Sequence, residues 1–548
     1  MRHTLLILLL FGTISHAATF LVTPGESIQS AVNMAQDYDT VLIADGIYEE
    51  TVVLYGKTLM IASHYLLDGD TSHIGNTVIR PSDQNADTAS CIIYGYGEEV
   101  EGRIVGLSLA DGRGTTSIVA PDQKTGGCVH IKSSAVSIQH CRLLNGRAYV
   151  GGGVLVEGDL GTLESASVVM DNVTISNCFA EYGGGGGYLW YASASITNSI
   201  FEYDSSSYLD GGLLCLDSHT EVDSCVFRHC CGWIGGLNME YCTGHVRYSL
   251  FEENGALEEV DAGICHFSSH DSPIDFSANI VRDNATGNVA AIYTGDPVPC
   301  VIGNVFENNT TTYISATVLV GWAGGGDFAY NIIRDNQNSY GGALQAFQQT
   351  DAHIHHNYFE NNRDVVENYG SAFMCVTRCN PTLDSNLFIG NYGISAGWGF
   401  PGETHLLDMR NNWWGHETGP YHATYNPNGL GDTLVSDSIL FIPWLTVPPD
   451  TTMPMSLTKP KQPVIPGTWH IMNLFPNPFN SEFTIILAGF TRSDFSIKLY
   501  DILGREAAVI QQGALTGGRL SFRAPPELAS GVYFLRAADR SQVDTRKV

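Results

Sequence analysis

The stretch Val301-Ile302-Gly303-Asn304-Val305-Phe306 returns in the same pattern as Ile354-His355-His356-Asn357-Tyr358-Phe359 and, earlier, as Val222-Asp223-Ser224-Cys225-Val226-Phe227. Each copy has an apolar residue, two variable residues, a small polar residue and an apolar pair. Taking the fourth residue as anchor gives Cys141, Cys178, Ser199, Cys225, Ser249, Asn279, Asn304, Asn331, Asn357, Asn386 and Asn412, spaced by about 27 residues on average. A second phrase of two small residues followed by apolar-x-apolar keeps the same period: Gly152-Gly153-Val154-Leu155-Val156, Gly211-Gly212-Leu213-Leu214-Cys215 and Gly341-Gly342-Ala343-Leu344-Gln345. Period-two alternation between Gly and Asn turns predicts short strands, and no stripe of period 3.6 competes with it. Strands repeating at this interval bury a continuous inward row by stacking rung on rung at ~4.8 Å. The sequence predicts an all-β coil, a parallel β-helix.

The columns of that coil are readable. The six asparagines Asn279 to Asn412 are expected in left-handed turns, with amides bonding up the stack. Asn254, Asn284, Asn309, Asn336, Asn362 and Asn391 make a second column five residues after their anchors. Phe201, Phe227, Phe251, Phe306, Phe359 and Phe388 supply an inward aromatic row. One residue further on, Glu202, Arg228, Glu252, Arg282, Glu307, Arg334 and Glu360 alternate in sign, as side chains one rung apart prefer. That column reads as structural.

Composition excludes some functions. The chain carries 27 Lys plus Arg against 57 Asp plus Glu, a formal charge of −30, which repels phosphate and argues against a nucleic-acid partner. No lysine lies between Ser133 and Thr458, where 9 arginines face 35 acids, so a basic groove for polyanions has little to be built from. Residues 1–17 read as a signal peptide: Arg2 and His3, an apolar run from Thr4 to Ile14, and Ser15-His16-Ala17 at the cleavage position. No other run approaches the ~20 apolar residues of a membrane-spanning helix. The 13 cysteines are read mostly as buried thiols, with Cys141, Cys178 and Cys225 in equivalent places. One or two disulfides are allowed, Cys375 with Cys379 among them, and the pairing stays open.

These features also carry a resemblance. Residues 18–447 resemble the right-handed parallel β-helix, or pectin-lyase-like, superfamily of exported proteins. Pro24-Gly25-Glu26-Ser27-Ile28-Gln29 is similar to its N-terminal capping helix, and Asn411-Asn412-Trp413-Trp414-Gly415 to its closing rung. Prolines 448, 449, 454, 460, 463 and 466 mark residues 448–467 as a stiff linker. Beyond it, residues 468–548 alternate as half-buried strands. Phe475-Pro476-Asn477-Pro478-Phe479-Asn480, Leu503-Gly504-Arg505 and Gly531-Val532-Tyr533-Phe534-Leu535 resemble the small β-sandwich sorting domain of the type IX secretion pathway. The resemblance implies a secreted or outer-membrane surface protein that meets the type IX machinery through its C-terminal domain.

The fold does not supply the chemistry. The Asp-Asp, Gly-His-Gly and Arg-Ile-Lys phrases of polygalacturonase-like relatives are absent, and Asn85-Ala86-Asp87 stands alone in a loop-like stretch. Asp204, Asp210, Glu240 and Asp261 fall in or beside loops of successive repeats, with Trp233 and Tyr241 close by. Paired carboxylates can hydrolyse a glycosidic bond, several can hold Ca²⁺, and aromatic rings stack on sugar faces. A solvated acidic face is the bland alternative. His266 is expected in the inward column with Ile264, as a core histidine. His353, His355 and His356 flank Ile354, and two of them face the same way, which permits a metal. Gly183 to Gly187 lacks the Lys and Ser/Thr of a phosphate cradle and reads as a turn between rungs. No cofactor is demanded; Ca²⁺ is the ion the acidic loops suit. Two functions stand: a secreted or cell-surface β-helix that binds polysaccharide or cell-surface glycan or acts as an adhesin, without catalysis, or alternatively a hydrolase or lyase of neutral or weakly charged glycans.

Overall fold

The computed structural model describes residues 17–82, 88–95, 98, 102–117, 122–158, 166–256, 263–268, 274–289, 291–294, 300–312, 316–321, 326–339, 341–347, 351–365, 371–376, 379–391, 407–434, 437–452, 470–475, 482–488, 492–501, 505–515, 519–525, 528, 533–538 and 543–547. The signal-peptide reading of residues 1–16, the Asn85-Ala86-Asp87 phrase and most of the proline-rich stretch lie outside them. Two compact units are distinguished, Met1–Pro463 and Val464–Val548. Among the described residues no helix is long and apolar enough to cross a membrane.

The first unit is a parallel β-helix. One rung runs through Ala166–Asp171, Thr174–Ser176, Phe179–Gly183 and Gly187–Trp190, and the next begins at Ala192–Thr197, which pairs in parallel with Ala166–Asp171. Repetition stacks the rungs into four parallel sheets of 14, 13, 9 and 12 strands, here faces 1 to 4 in chain order. Helix α1, Ile28–Met34, is N-capped by Ser27 and buries Ile28, Ala31 and Val32 in the same hydrophobic core as the first rungs. At the other end the buried Trp414 ring stacks on Phe388, with centroids 4.7 Å apart.

The corners on either side of face 2 share one mechanism. Where face 1 turns into face 2, Asn304 donates through its backbone N–H and Nδ2 to Asn331 Oδ1 at 2.9 and 3.0 Å. Asn331 repeats both bonds to Asn357, and its Nδ2 also reaches the Val301 carbonyl at 2.8 Å. The left-handed residue is the one before each asparagine: Ala278, Gly303, Tyr330, His356, Ser385 and Asn411 have φ of 55° to 66°. The expectation that the asparagines themselves adopt that conformation is thus corrected. The turn is made by their neighbour, and Asn is required for a carboxamide that both gives and accepts.

A second ladder follows at the corner of faces 2 and 3, and it takes Cys178 with it. Val173 occupies the first corner in that rung, its N–H donating to Ser199 Oγ at 3.1 Å. Cys178 N–H instead donates to Asp204 Oδ1 at 2.8 Å, as Cys230 N–H does to Asn254 Oδ1 at 3.0 Å. Cys178 is therefore not equivalent to Cys141 and Cys225; both corners share a small-then-apolar phrase, which invites the confusion. The core is otherwise as expected. Phe201, Phe227 and Phe251 stack at 4.7 and 4.8 Å inside the coil, each fully buried. Such burial stabilises by about 2 to 3 kcal/mol per side chain. On the outside of face 2, Arg228 pairs with Glu202 at 2.6 Å, Arg282 with Glu252 at 2.7 Å and Arg334 with Glu307 at 2.5 Å. These partly exposed pairs contribute about 1 kcal/mol or less apiece and set register more than stability. Cys375 and Cys379 form a disulfide; the other described cysteines are free thiols, nearly all buried.

The second unit holds two antiparallel sheets. His470–Phe475, Glu482–Ala488 and Arg519–Arg523 make one; Arg492–Asp501, Glu506–Leu515, Tyr533–Ala538 and Val543–Lys547 make the other. Ile485 and Phe522 from the first share a core with Ile497, Leu499, Tyr533, Leu535 and Ala537 from the second, which defines a small β-sandwich.

Candidate functional site

Strand parity decides which side chains of face 4 leave the coil. In Leu213–Leu216, Leu213 and Cys215 enter the core, so Leu214 and Leu216 point away from it. Register carries this outer row along the sheet as His130, Leu155, Tyr188, Leu214, Asn238 and His266. These residues are nonetheless largely shielded. Leu155, Tyr188 and Leu214 form, with Val150, a hydrophobic cluster of their own, packed by Tyr149, Trp190, Leu209 and Leu216. The chain between faces 3 and 4 comes back over the outer side of face 4. It can do so because the connection is glycine-rich: a Cβ on Gly185 would stand 2.4 Å from the Gly211 carbonyl oxygen, and one on Gly212 2.2 Å from that of Gly236. The run Gly183 to Gly187 is a close passage of rung over rung.

A polar group stands at each end of this apolar strip. At one end the His130 ring bonds Glu157 at 2.7 Å, both buried. At the other, Asn238 is the hub. Its Nδ2 donates to the Asp210 carboxyl at 3.2 and 3.3 Å and to Glu240 Oε1 at 3.1 Å. Its Oδ1 lies 2.9 Å from His266 Nδ1, which fixes the proton of the neutral ring on Nδ1 and makes Nε2 its basic nitrogen. Burial raises the Asp210 carboxyl well above the usual range, with the Asn238 bond opposing and the Glu240 charge adding to it. Burial pushes His266 down to about 4, so the ring is uncharged at neutral pH. A carboxyl of raised pKa and a neutral imidazole thus share one amide.

Alongside lies an aromatic shelf. Tyr149, Tyr182 and Tyr208 stack one rung apart, with ring centroids at 5.5 and 5.8 Å, and Tyr208 is 64% exposed. Trp190 sits half-buried in the strip, edge-on to Tyr191 at 5.1 Å.

The residues expected from sequence fall differently. Asp210 and Glu240 meet at Asn238. Asp204 does not join them: it is completely buried, a member of the second corner ladder, and its Oδ2 has no hydrogen-bond partner. It stands where later rungs have asparagine, and this corrects its placement on an accessible loop. Asp261 lies outside the described residues. Trp233 is half-buried in the connection between faces 3 and 4, and Tyr241, 52% exposed, is the left-handed residue that follows Glu240. His266 is not a core residue. Cys265 and Phe267 enter the core, and His266 between them faces outward. Asn238, Tyr188 and the tyrosine shelf were missed. The signal for Asn238 and His266 was present, since both take the x position of the small-small-apolar-x-apolar phrase once Gly263-Ile264 is read as its opening pair.

Residues 473–548 match the family described as the secretion system C-terminal sorting domain. No curated protein matches the chain. The protein is therefore a parallel β-helix joined to a type IX sorting domain, directed to the cell surface or the extracellular space.

Proposed function

We propose that this exported β-helix binds a neutral or weakly charged polysaccharide along the outer side of face 4. The observation that carries the reading is the Tyr149–Tyr182–Tyr208 stack, exposed at Tyr182 and Tyr208, beside the Asp210–Asn238–Glu240–His266 cluster. Tyrosine offers a rigid apolar ring with a polar tip, and Glu240, the half-exposed member of the cluster, offers a carboxylate to hydroxyls. Charge supports a neutral ligand, because Arg228, Arg247, Arg282, Arg334 and Arg410 are engaged with carboxylates. A second reading, cleavage of the bound glycan, is favoured by one observation: the Asp210 and Glu240 carboxyls converge on the Asn238 amide, whose other end meets the uncharged His266 ring.

A panel of glycans presented to the full chain, with and without Ca²⁺, tests both when binding and product release are scored together. Binding to neutral polymers is expected, and Tyr208→Ala should weaken it by about 10-fold, the loss of one well-placed aromatic contact. Binding confined to polyanions, or untouched by Tyr208→Ala, would overturn the reading. Release of oligosaccharides that Asp210→Asn abolishes while binding persists would establish the second reading. Its rate should then fall as pH drops through about 4, where His266 takes up its proton.

A further inference from the structure

On the outside of face 1, away from the cluster above, three successive rungs bring together Asp327, His353, His355 and Asp384. Phe328, Ile354 and Leu383 point into the core, so the residues on either side of each point out. Asp327 lies beside His353 in register, and Asp384 lies beside His355. The side chains lean diagonally: His355 Nε2 is 2.8 Å from Asp327 Oδ1, and His353 Nε2 is 3.0 Å from Asp384 Oδ2. One ligand atom from each of Asp327, His353 and His355 lies within 4.8 Å of the other two. The two imidazoles are 4.1 Å apart, centroid to centroid.

We infer that this patch is a binding site for a divalent transition metal of the Zn²⁺ class, with Asp327, His353 and His355 as ligands. Two imidazoles and a carboxylate are a donor set that suits Zn²⁺, Ni²⁺ or Cu²⁺, whereas Ca²⁺ and Mg²⁺ need oxygens throughout. The surroundings already contain the outer contacts such a site needs. Asp384 engages one nitrogen of His353 and leaves the other for the ion. His356 Nδ1 stands 2.7 Å from His355 Nδ1, so a metal on Nε2 of His355 is supported by a hydrogen bond at its second nitrogen. The His356 ring is itself held by stacking on Tyr330 at 5.0 Å. The ligands sit on sheet strands, not loops, so little order has to be gained on binding. His353 and Asp327 are half-exposed, leaving a solvent side for the remaining coordination positions.

The test is titration of the untagged full chain, first stripped with chelator, with Zn²⁺ and then with Co²⁺ as a spectroscopic probe. One ion per chain is expected, together with a rise in melting temperature and a visible Co²⁺ spectrum typical of nitrogen and oxygen donors. His353→Ala and His355→Ala should each weaken Zn²⁺ by at least about 10-fold, and Asp384→Asn by ~10-fold through loss of the supporting bond. All three side chains lie outside the core, and circular dichroism of each variant confirms the coil. Unchanged Zn²⁺ affinity in the double histidine variant would overturn the site. So would a thiolate-to-metal charge-transfer band, which places the ion on cysteine, or Ca²⁺ bound as tightly as Zn²⁺.

Discussion

Replacing Asn331 by alanine is expected to remove about 4 kcal/mol from the stability of the β-helix, an unusually large loss for a polar side chain. The figure follows from what the amide does. Its Oδ1 receives both the backbone N–H and the Nδ2 of Asn304, and its Nδ2 serves the Val301 carbonyl and Asn357 Oδ1. Alanine leaves the buried Asn304 N–H without that partner and weakens the other groups, at about 1 to 3 kcal/mol for a buried group left unsatisfied. Asn331→Asp keeps the shape and the acceptor while losing the donor, so it should fall between the two and recover at low pH, where the carboxyl is protonated. Denaturant unfolding of the full chain, followed by far-UV circular dichroism, measures all three. A loss below about 1 kcal/mol for the alanine variant would show that water or backbone movement replaces the ladder.

The opposite result is expected at Asp204. Asp204→Asn should stabilise the protein at neutral pH by about 2 kcal/mol, the scale of relieving one buried, unpartnered polar atom. Asp204 is completely buried, and one carboxyl oxygen receives the Cys178 N–H while the other receives nothing. Burial, with the Glu202 charge behind it, raises its pKa well above 3.8. Above the unfolded value of ~3.9 the native state keeps a proton that the unfolded chain releases, so this carboxyl's contribution to stability falls as pH rises toward its folded pKa. Asparagine ends that dependence and brings a donor; in the next-but-one rung the Asn254 amide already bonds the Phe227 carbonyl at 2.9 Å. Stability against pH above ~4 should therefore decline less in the variant. A destabilised variant, or a parallel pH profile, would mean that Asp204 has a partner worth more than its burial costs.

Asp204 and His266 show where sequence reading reaches its limit. The period, the strands, the phenylalanine row and the alternating charges were legible because each depends only on spacing along the chain. The same spacing could not separate two corners that use one phrase, so Cys178 was set in the wrong column. Asp204 kept the appearance of a loop acid because the ladder below it, Cys178, and above it, Cys230, carries no asparagine to reveal the column. His266 failed on parity. With Ile264 in place of a second small residue, the strand starts one residue later than the reading assumed, and a shift of one reverses every side chain. Sites assembled across rungs are harder still. His353 and His355 are visible as a pair in one strand, but Asp327 and Asp384 join them only through the lateral register.

The corner ladders also say how such a chain can come to be folded. Their bonds connect residues 24 to 33 apart in sequence, and the strand pairs that flank them keep a similar interval. Each ladder bond thus closes a loop of about one turn, so the entropy of loop closure is incurred in small instalments rather than in one long-range search. A finished turn presents the next with exposed strand edges and waiting carboxamides, which act as a template. Growth from an existing end is then faster than nucleation at a new place. A chain released gradually on the far side of a membrane can wind up in the order in which it emerges, and a duplicated turn lengthens the coil without asking any other residue to change.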